Sequence, residues 1–369
     1  MNTMRAARLH EVGQPFTVDE IDVPQPTGND VLVRVRACGI VPNLKNVVTH
    51  YPEWFPFLPL PKFPAIYGLD PAGEIAAVGP DAINVKVGDR VYVNPLRYCG
   101  NCLKCRDGKY IACQSLVFAG YFGFVPGAQE MFDRYPWGGL GEYMIAPSYS
   151  LVSLPDSVSF EQAARFGYLG TAYGALRRAN VGPDTSVLIN GATGTIGVGA
   201  ILLCLAMGVP KILAVARNRN ILTQLQTLAP DRIFLHSNED GPCTDWARGL
   251  TGGHGVDVVL EALSPGAPVQ ATMDAFHAVS RAGTLVTVGG AEDKLPFDPI
   301  WLMCNAISYL GSCWFSTREG HDMANMAGTG ALDLSVLENL CFPLERVNDA
   351  LETAQHRNSG GLQNIVVTL

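Results

Sequence analysis

The sequence has few charged residues and no long cluster of positive charge. Charged residues make up 16% of the 369 residues, and 34 acidic residues outnumber 26 basic ones, which gives a net charge of −8. The longest basic run is the pair Arg177-Arg178. Because nucleic acids and anionic membranes attract proteins through clustered Lys and Arg, we expect neither to be a partner.

The sequence also lacks a long hydrophobic run. Its longest apolar segments, such as 198–207, have about ten residues, whereas a membrane-spanning helix needs about 20. The first twelve residues mix Arg5, Arg8, His10 and Glu11 with single apolar residues, unlike the apolar stretch of a signal peptide. We therefore expect a cytoplasmic protein, in which disulfides are rare and clustered cysteines bind metal or act in catalysis.

The sequence does contain enough apolar residues for large cores. Hydrophobic residues make up 48% of the chain, and at about 100–200 residues per domain its length predicts two domains. Residues 1–150 are rich in β patterns, but from about residue 171 strand and helix patterns alternate, which predicts a doubly wound parallel sheet. The strands of this second region are expected at 186–189, 211–216, 232–236, 256–262 and 283–288.

A glycine-rich loop follows the first strand of the second region. Its glycines have the spacing Gly-x-x-Gly-x-x-Gly, which allows a tight turn and lets the backbone approach a pyrophosphate at the helix N-terminus. The motif alone is weak, but its setting of strand, loop, helix and second strand predicts a dinucleotide site. The residues assigned to this site are Gly191, Thr193, Gly194, Thr195, Ile196 and Gly197.

The end of the second strand indicates which dinucleotide binds. An acidic side chain at this position binds the ribose 2′-hydroxyl of NAD, but here the strand ends at Ala216 and is followed by Arg217, Asn218 and Arg219. Two guanidinium groups suit a 2′-phosphate, so the sequence favours NADP(H). The alternative is that both arginines lie on a solvated loop.

Four of the ten cysteines are clustered. Cys99, Cys102, Cys105 and Cys113 have the spacing C-x2-C-x2-C-x7-C, and four thiolates close a tetrahedral site around Zn²⁺ with no position left for water. We therefore predict one structural zinc per chain, held in a lobe at residues 95–115. Disulfides are the alternative, which the two-residue spacings and the expected cytoplasmic location disfavour.

Together these features resemble the medium-chain dehydrogenase/reductase superfamily, and in particular its zinc-type alcohol dehydrogenases, over nearly the whole chain. The short segments that carry the resemblance, besides the lobe and the loop, are 37–40, 73–79, 87–91 and 138–143. The resemblance implies an α/β fold with a GroES-like β-rich catalytic domain (1–170 and 312–369) and a Rossmann doubly wound parallel sheet (171–311), assembled as a homodimer or homotetramer. It also implies that Thr171 and Gly289 contact the cofactor.

Three positions depart from the pattern of the zinc-type family. Its catalytic zinc is held by a Cys after a Gly-Ile pair, a His in a Gly-His-Glu triplet and a Cys four residues before a Thr-x-Tyr. Here these positions are Val41, Leu69 and Gly167, whose side chains cannot ligate a metal. Asn43 and Asn46 stand at the positions of the proton-relay hydroxyl and histidine. The resemblance therefore implies a site without catalytic zinc.

The altered segments resemble the zinc-free branch of the superfamily, the quinone, alkenal and enoyl reductases. Val41-Pro42 parallels their Asn-Pro, and the segment 68–73 parallels their Gly-x-Asp-x-x-Gly. In that chemistry hydride passes to the β-carbon of a double bond conjugated to a carbonyl or iminium. Hydrogen-bond donors stabilise the enolate or enamine, and an acid protonates the α-carbon. This reduction is the leading prediction.

The candidate catalytic residues are Tyr51, Asn43, Asn46 and Asp70. Some zinc-free relatives carry a Tyr-Pro about ten residues past their Asn-Pro, and Tyr51 and Pro52 fall there one residue early, so Tyr51 is the candidate proton donor. The alternative is a tyrosine that only packs in an aromatic loop. The resemblance implies that Asp70 lies at the substrate cleft, because residues at the matching position of the family do so. The alternative is that Asp70 is a structural carboxylate without a catalytic role.

The segment between Cys113 and Gly138 is longer than is usual for the family and rich in large apolar side chains. Such a loop beside a cleft favours a bulky, hydrophobic small-molecule substrate, whereas the alternatives are a subunit contact or a self-packed loop. Its large side chains are Phe118, Tyr121, Phe122, Phe124, Met131, Phe132, Tyr135 and Trp137.

Two other functions stay open at this point. The same fold and cofactor serve a ketone or imine reductase, or an alcohol dehydrogenase, in which a tyrosine or water moves the proton. A non-catalytic NADP-binding protein is the third possibility, which the complete cofactor loop disfavours.

Overall fold

The structure is a computed structural model that describes residues 3–264, 266–289, 294–356 and 360–369. Its first half is mostly antiparallel β-structure, because apolar side chains alternate with polar ones along the strands. The strands of this half are β1 (Thr3–Leu9), β2 (Thr17–Asp22), β3 (Asp30–Gly39), β4 (Ala65–Ile66), β5 (Asp70–Val78), β6 (Arg90–Val93), β7 (Leu96–Arg97), β8 (Val117–Phe118), β9 (Tyr143–Pro147) and β10 (Leu151–Ser153).

Helices in the first half are short except for the last, which leads into the second half. Gly167 and Gly170 lie on this last helix, against Asp70 and Phe315 respectively, where a larger side chain has no space. The helices are α1 (Leu44–Thr49), α2 (Tyr51–Trp54), α3 (Leu103–Arg106), α4 (Ala128–Arg134), α5 (Phe160–Ala163) and α6 (Phe166–Arg178).

The second half is a six-stranded parallel sheet with helices between its strands. Its elements are β11 (Ser186–Asn190), α7 (Thr195–Ala206), β12 (Lys211–Ala216), α8 (Arg219–Gln226), β13 (Ile233–Ser237), α9 (Thr244–Leu250), β14 (Val256–Glu261), α10 (Val269–His277), β15 (Val279–Thr287), α11 (Pro299–Asn305) and β16 (Ser308–Gly311). The strand order is β13-β12-β11-β14-β15-β16. This order confirms the predicted doubly wound sheet. The chain adds strands outward on one side from β11 to β13 and on the other side from β14 to β16, so the order of the strands reverses between β11 and β14.

The end of the chain returns to the first half. Its elements are α12 (Thr317–Gly328), β17 (Glu338–Pro343), α13 (Val347–Gln355) and β18 (Gln363–Thr368). Strand β18 pairs antiparallel with β3, with Val366 opposite Gly39, in a sheet of order β10-β6-β5-β3-β18-β17. The predicted domain boundary at 170/171 falls inside the continuous helix α6, so the boundary itself stays a prediction.

Both halves contribute to one hydrophobic core. Phe166 and Leu169 of α6 are buried in the same cluster as Val198 of α7, so the sheet that carries the glycine loop is packed directly on the first half. None of the described helices is long and apolar enough to cross a membrane.

Candidate active site and zinc lobe

Asn43, between β3 and α1, is the centre of a network of four polar side chains. Its Nδ2 donates to the phenol oxygen of Tyr51 at 3.2 Å. Its Oδ1 accepts from the hydroxyl of Tyr121 at 2.5 Å and from that of Tyr168 at 3.4 Å. We call these four residues the Asn43 network. The structure therefore brings together two of the predicted catalytic residues, Asn43 and Tyr51.

Tyr51 differs from the other two tyrosines of the network. Its oxygen accepts a hydrogen bond from Asn43, but among the described residues none accepts the hydrogen of its hydroxyl. Burial raises the pKa of Tyr51, while the bond from Asn43 lowers it by a smaller amount. The phenol is thus held neutral with its proton available, which is the state that a general acid requires.

The three positions of the family's zinc ligands contain no metal-binding side chain. Val41 and Leu69 are both buried and apolar. At Gly167, an added Cβ would lie 2.0 Å from Oδ1 of Asp70. The volume that a thiolate needs at this position is therefore filled by the carboxyl group of Asp70.

Asp70, at the start of β5, is 1% exposed. Its carboxylate accepts hydrogen bonds from the Tyr92 hydroxyl at 2.8 Å and from the backbone N–H of Gly167. Burial raises the pKa of Asp70 to about 7, although Tyr92 and the Arg165 charge act in the opposite direction. These hydrogen bonds are typical of a structural carboxylate, which was the alternative interpretation of Asp70. A catalytic role for Asp70 stays a prediction.

Asn46 lies on α1, three residues after Asn43, and is half-buried. Its side chain forms no hydrogen bond within the described part of the chain, whereas its backbone carbonyl accepts from the N–H of His50 at 2.7 Å. The structure therefore leaves the Asn46 amide outside the Asn43 network.

Part of the aromatic segment packs beside Tyr51. The Phe122 ring centroid lies 5.7 Å from that of Tyr51 and 5.2 Å from that of Phe124. Phe118 lies 4.7 Å from Phe124 and 4.6 Å from Trp314, measured between ring centroids. We call Phe118, Phe122, Phe124 and Trp314 the aromatic cluster. This apolar cluster packs next to the candidate acid, with Phe118 and Trp314 buried and Phe122 and Phe124 partly buried.

The rest of that segment has a different role from the predicted one. Met131, Phe132 and Tyr135 are buried in a separate small core with Leu32 and Ile145. They belong to α4 or follow it directly, and the helix turns them towards β3 and β9. The sequence pattern predicted that these three side chains lie beside the substrate. In the structure they instead pack against the sheet that contains β3 and β9.

The glycine loop has the geometry of a dinucleotide site. Gly191 has φ +89°, and an added Cβ on Gly197 would lie 2.2 Å from the Gly191 carbonyl oxygen, so helix and strand approach as closely as glycine allows. Gly194 is the N-cap of α7 and has no side chain to cap the helix, which leaves helix N–H groups for an anion. The buried hydroxyl of Thr195 also has no partner among the described residues.

The two arginines after β12 differ from each other. Arg219 forms an ion pair with Asp240 and lies 3.7 Å from Glu239, so nearby carboxylates balance its charge. Arg217 is exposed, and no ion pair joins it to any described residue. Arg217 is therefore the better placed of the two to meet a phosphate.

The two remaining residues that were predicted to contact the cofactor, Thr171 and Gly289, lie in different parts of the structure. The Thr171 hydroxyl donates to the Gly167 carbonyl at 2.9 Å within α6. Gly289 follows β15 and lines a cavity of ≈ 390 Å³, together with Gly311 at the end of β16 and with Ile111 from the zinc lobe. Gly289 therefore lies where the lobe faces the carboxyl ends of the parallel strands.

The four clustered cysteines converge as their spacing predicts. All four Sγ atoms lie within 4.8 Å of one another, and the pairs Cys99/Cys113 and Cys102/Cys105 are each 3.5 Å apart. Four sulfurs around Zn²⁺ at about 2.3 Å are about 3.8 Å apart, so this set fits the ion. The backbone N–H of Cys105 contributes most to lowering the pKa of Cys102 to about 6, which favours the thiolate.

Sequence reasoning missed two parts of the Asn43 network. It treated Tyr121 only as part of an apolar wall, and it did not consider Tyr168 at all. Tyr168 directly follows Gly167, which is one of the three positions of the family's zinc ligands. Its place beside Gly167 was the one signal that could have indicated a role in the site. The pairing with Asn43 spans 78 and 125 residues of chain, which no local pattern reveals.

Comparisons with known proteins agree with this architecture. The family model described as "Alcohol dehydrogenase GroES-like domain" matches residues 27–156, and the model "Zinc-binding dehydrogenase" matches residues 195–328. An alcohol dehydrogenase of Geobacillus stearothermophilus is 30% identical over 353 residues, covering 95% of each chain. An NAD-dependent alcohol dehydrogenase of Sulfurisphaera tokodaii is 26% identical, covering 98% of this chain and all of the relative.

Among solved structures, a cobalt- and zinc-bound thermostable alcohol dehydrogenase from Pyrobaculum aerophilum superposes with a TM-score of 0.78. It is 25% identical and covers 100% of both chains. The protein therefore belongs to the medium-chain dehydrogenase/reductase superfamily and is an NAD(P)-dependent oxidoreductase with a GroES-like domain and a Rossmann sheet. The predicted family, fold and enzyme class are confirmed.

Proposed function

We propose that the protein is an NADP(H)-dependent reductase that reduces a conjugated carbon–carbon double bond in a bulky, hydrophobic small molecule without a catalytic zinc. The observation that carries this proposal is the state of Tyr51. Its oxygen accepts a hydrogen bond from Asn43, its own hydrogen has no acceptor among the described residues, and the aromatic cluster lies beside it.

The chemistry follows from these side chains. When bound, NADPH supplies the hydride that adds to the β-carbon of the substrate. Tyr51 protonates the α-carbon, and the Asn43 N–H stabilises the phenolate that the transfer leaves behind. The aromatic cluster excludes water and binds the apolar part of the substrate. An enone needs no Lewis acid here, because its own carbonyl takes up the electron pair.

The choice of NADP(H) over NAD(H) rests on Arg217. It follows the strand end at which NAD-binding chains carry an acid, and its guanidinium suits the 2′-phosphate. Arg217→Ala should therefore weaken NADPH binding about tenfold or more while leaving NADH almost unchanged. Arg219→Ala is the matched control, because Asp240 already neutralises Arg219. Equal loss of both coenzymes in Arg217→Ala would refute the NADP(H) assignment.

A second candidate function is favoured by the relatives. Several of them are alcohol, sorbitol or NAD-dependent alcohol dehydrogenases, and the corresponding reaction here is the interconversion of a ketone and an alcohol. In that reaction Tyr51 would protonate the carbonyl oxygen in place of the α-carbon.

One experiment separates the two functions. Protein is mixed with NADPH deuterated at the nicotinamide C4 and with a panel of aromatic enones, ketones and cyclic imines. Deuterium at the β-carbon of an enone product supports the proposal, whereas deuterium at a carbinol or amine carbon supports the alternative. Tight NADPH binding without turnover on the whole panel would indicate a non-catalytic protein.

The role of Tyr51 has its own test. Tyr51→Phe removes one hydroxyl and keeps the ring against Phe122, so we expect kcat to fall about 10²-fold or more with the KM for NADPH unchanged. Wild-type kcat in this variant would exclude Tyr51 as the acid.

A further inference from the structure

The Asn43 network contains a second tyrosine to which the proposed function assigns no role. Tyr121 is 4% exposed, and its hydroxyl donates to Oδ1 of Asn43 at 2.5 Å. We propose that Tyr121 is a positioning residue that fixes the orientation of the Asn43 amide, so that the amide N–H faces Tyr51 and the Tyr51 hydrogen stays free for substrate. This inference rests on the proposed role of Tyr51.

The distances distinguish the two possible orientations of the amide. O–H···O bonds are typically about 2.5–3.0 Å long, whereas N–H···O bonds are about 2.7–3.2 Å long. The 2.5 Å contact from Tyr121 fits a hydroxyl that donates to Oδ1, and the 3.2 Å contact to Tyr51 fits donation from Nδ2. In the reversed orientation, Oδ1 would accept the Tyr51 hydrogen, and the acid would be blocked.

Tyr168 cannot replace Tyr121 in this role. It donates to the same Oδ1, but from 3.4 Å, which is beyond the usual length of an O–H···O bond. The orientation of the amide therefore depends mainly on Tyr121.

The backbone next to Tyr121 is fixed by close contacts that only glycine permits. Gly120 has φ +69°, and a Cβ added there would lie 2.6 Å from Cα of Gly138 and 2.7 Å from the carbonyl oxygen of Gly68. The N–H of Gly68 donates to the Gly120 carbonyl at 3.0 Å. A side chain that holds another group needs such a fixed starting point, and Tyr121 has one.

A double-mutant cycle tests the proposal, with the fastest substrate of the panel. We expect Tyr121→Phe to lower kcat about tenfold in the wild-type background, with the Kd for NADPH unchanged. In the Tyr51→Phe background it should cause no further loss, because residues that act through one another are not additive. Tyr135→Phe is the control: Tyr135 is also buried and also loses one bond, to Asp30 at 2.9 Å.

The outcomes separate this inference from the proposed function. If Tyr51→Phe keeps wild-type kcat, the proposed acid is wrong. If Tyr51→Phe is inactive but Tyr121→Phe matches Tyr135→Phe, the acid stands and the positioning role is overturned. The positioning role is also overturned if Tyr121→Phe causes an equal loss in both backgrounds.

A measurement without substrate completes the test. The ultraviolet phenolate titration of Tyr51 is obtained as the difference between chains with and without Tyr51→Phe. We expect its pKa to rise in Tyr121→Phe, and also in Asn43→Asp, because neither variant presents a fixed amide N–H to Tyr51. An unchanged pKa in both variants would overturn the proposal even if no substrate were found.

Discussion

The zinc lobe and the Asn43 network hold opposite kinds of side chain. In the lobe, four sulfurs lie within 4.8 Å of one another, and backbone N–H groups donate to Cys99 and Cys113. In the network, an asparagine and three phenols meet beside buried apolar residues. One region is built to hold anions around a cation, and the other to hold neutral groups.

Burial keeps the groups around the Asn43 network protonated. It raises the pKa of Tyr51 and Tyr121 in the network and that of Asp70, whose charge acts on Tyr121, because removal from water disfavours the charged form. A site with neutral, protonated groups is suited to donating protons, whereas a zinc site stabilises an oxyanion directly. The two regions therefore differ in chemistry, because one places four sulfurs close enough to share a metal ion and the other presents protonated hydroxyl and carboxyl groups.

The largest expected effect concerns the lobe. Cys102→Ser removes one of four thiolates, so we expect the zinc content to fall from one per chain to nearly none, with a melting temperature about 10 °C lower or more. Cys304→Ser is the control, because Cys304 is exposed and lies outside the cluster. Metal analysis and thermal unfolding measure both effects. Two zinc ions in the wild-type chain would break the comparison between the regions.

A smaller effect is expected at Asp70. Because its pKa is raised in the folded state, its contribution to stability is greatest below about pH 4 and is lost as the pH rises through about 7. A rise of the pKa from 3.8 to about 7 corresponds to about 4 kcal/mol at most. Asp70→Asn should therefore gain stability relative to wild type between pH 4 and pH 8.

Denaturant unfolding at several pH values measures this gain, and Asp184→Asn, at an exposed position, supplies the baseline. A stability difference between Asp70→Asn and wild type that does not change with pH would mean that the Asp70 carboxyl is charged throughout this range. The buried region around Asp70 would then hold an anion, and its contrast with the lobe would be weaker.

Separation along the chain decides what the sequence could predict. The four cysteines lie within 15 residues and the loop glycines within seven. The spacing of the cysteines therefore predicted the lobe, and the spacing of the glycines between a strand and a helix predicted the dinucleotide loop. Asn43 meets Tyr168 across 125 residues, and such a contact depends on the packing of α6 against the first half. The ion pair of Arg219 with Asp240 was hidden for the same reason, since it joins the segments that follow β12 and β13.

The smallest expected effect sharpens the comparison at Gly167. Gly167→Cys restores the residue of the zinc-type family, but its Cβ would lie 2.0 Å from the carboxylate of Asp70, so we expect a loss of about 1–3 kcal/mol. Gly249→Cys is the control, because Gly249 is also in a helix and has open space around it. Equal losses in the two variants, measured by denaturant unfolding, would contradict the clash.

The same clash predicts that the lost ligands cannot simply be put back. The triple variant Val41→Cys, Leu69→His and Gly167→Cys should still bind one zinc per chain, because Asp70 fills the space of the third ligand. Removing that carboxyl with Asp70→Ala should reduce the cost of Gly167→Cys, since contacting residues are coupled by about 0.5–3 kcal/mol. A second zinc in the triple variant, with Asp70 still present, would show that these three positions retain the geometry of a metal site and differ from the lobe only in their side chains.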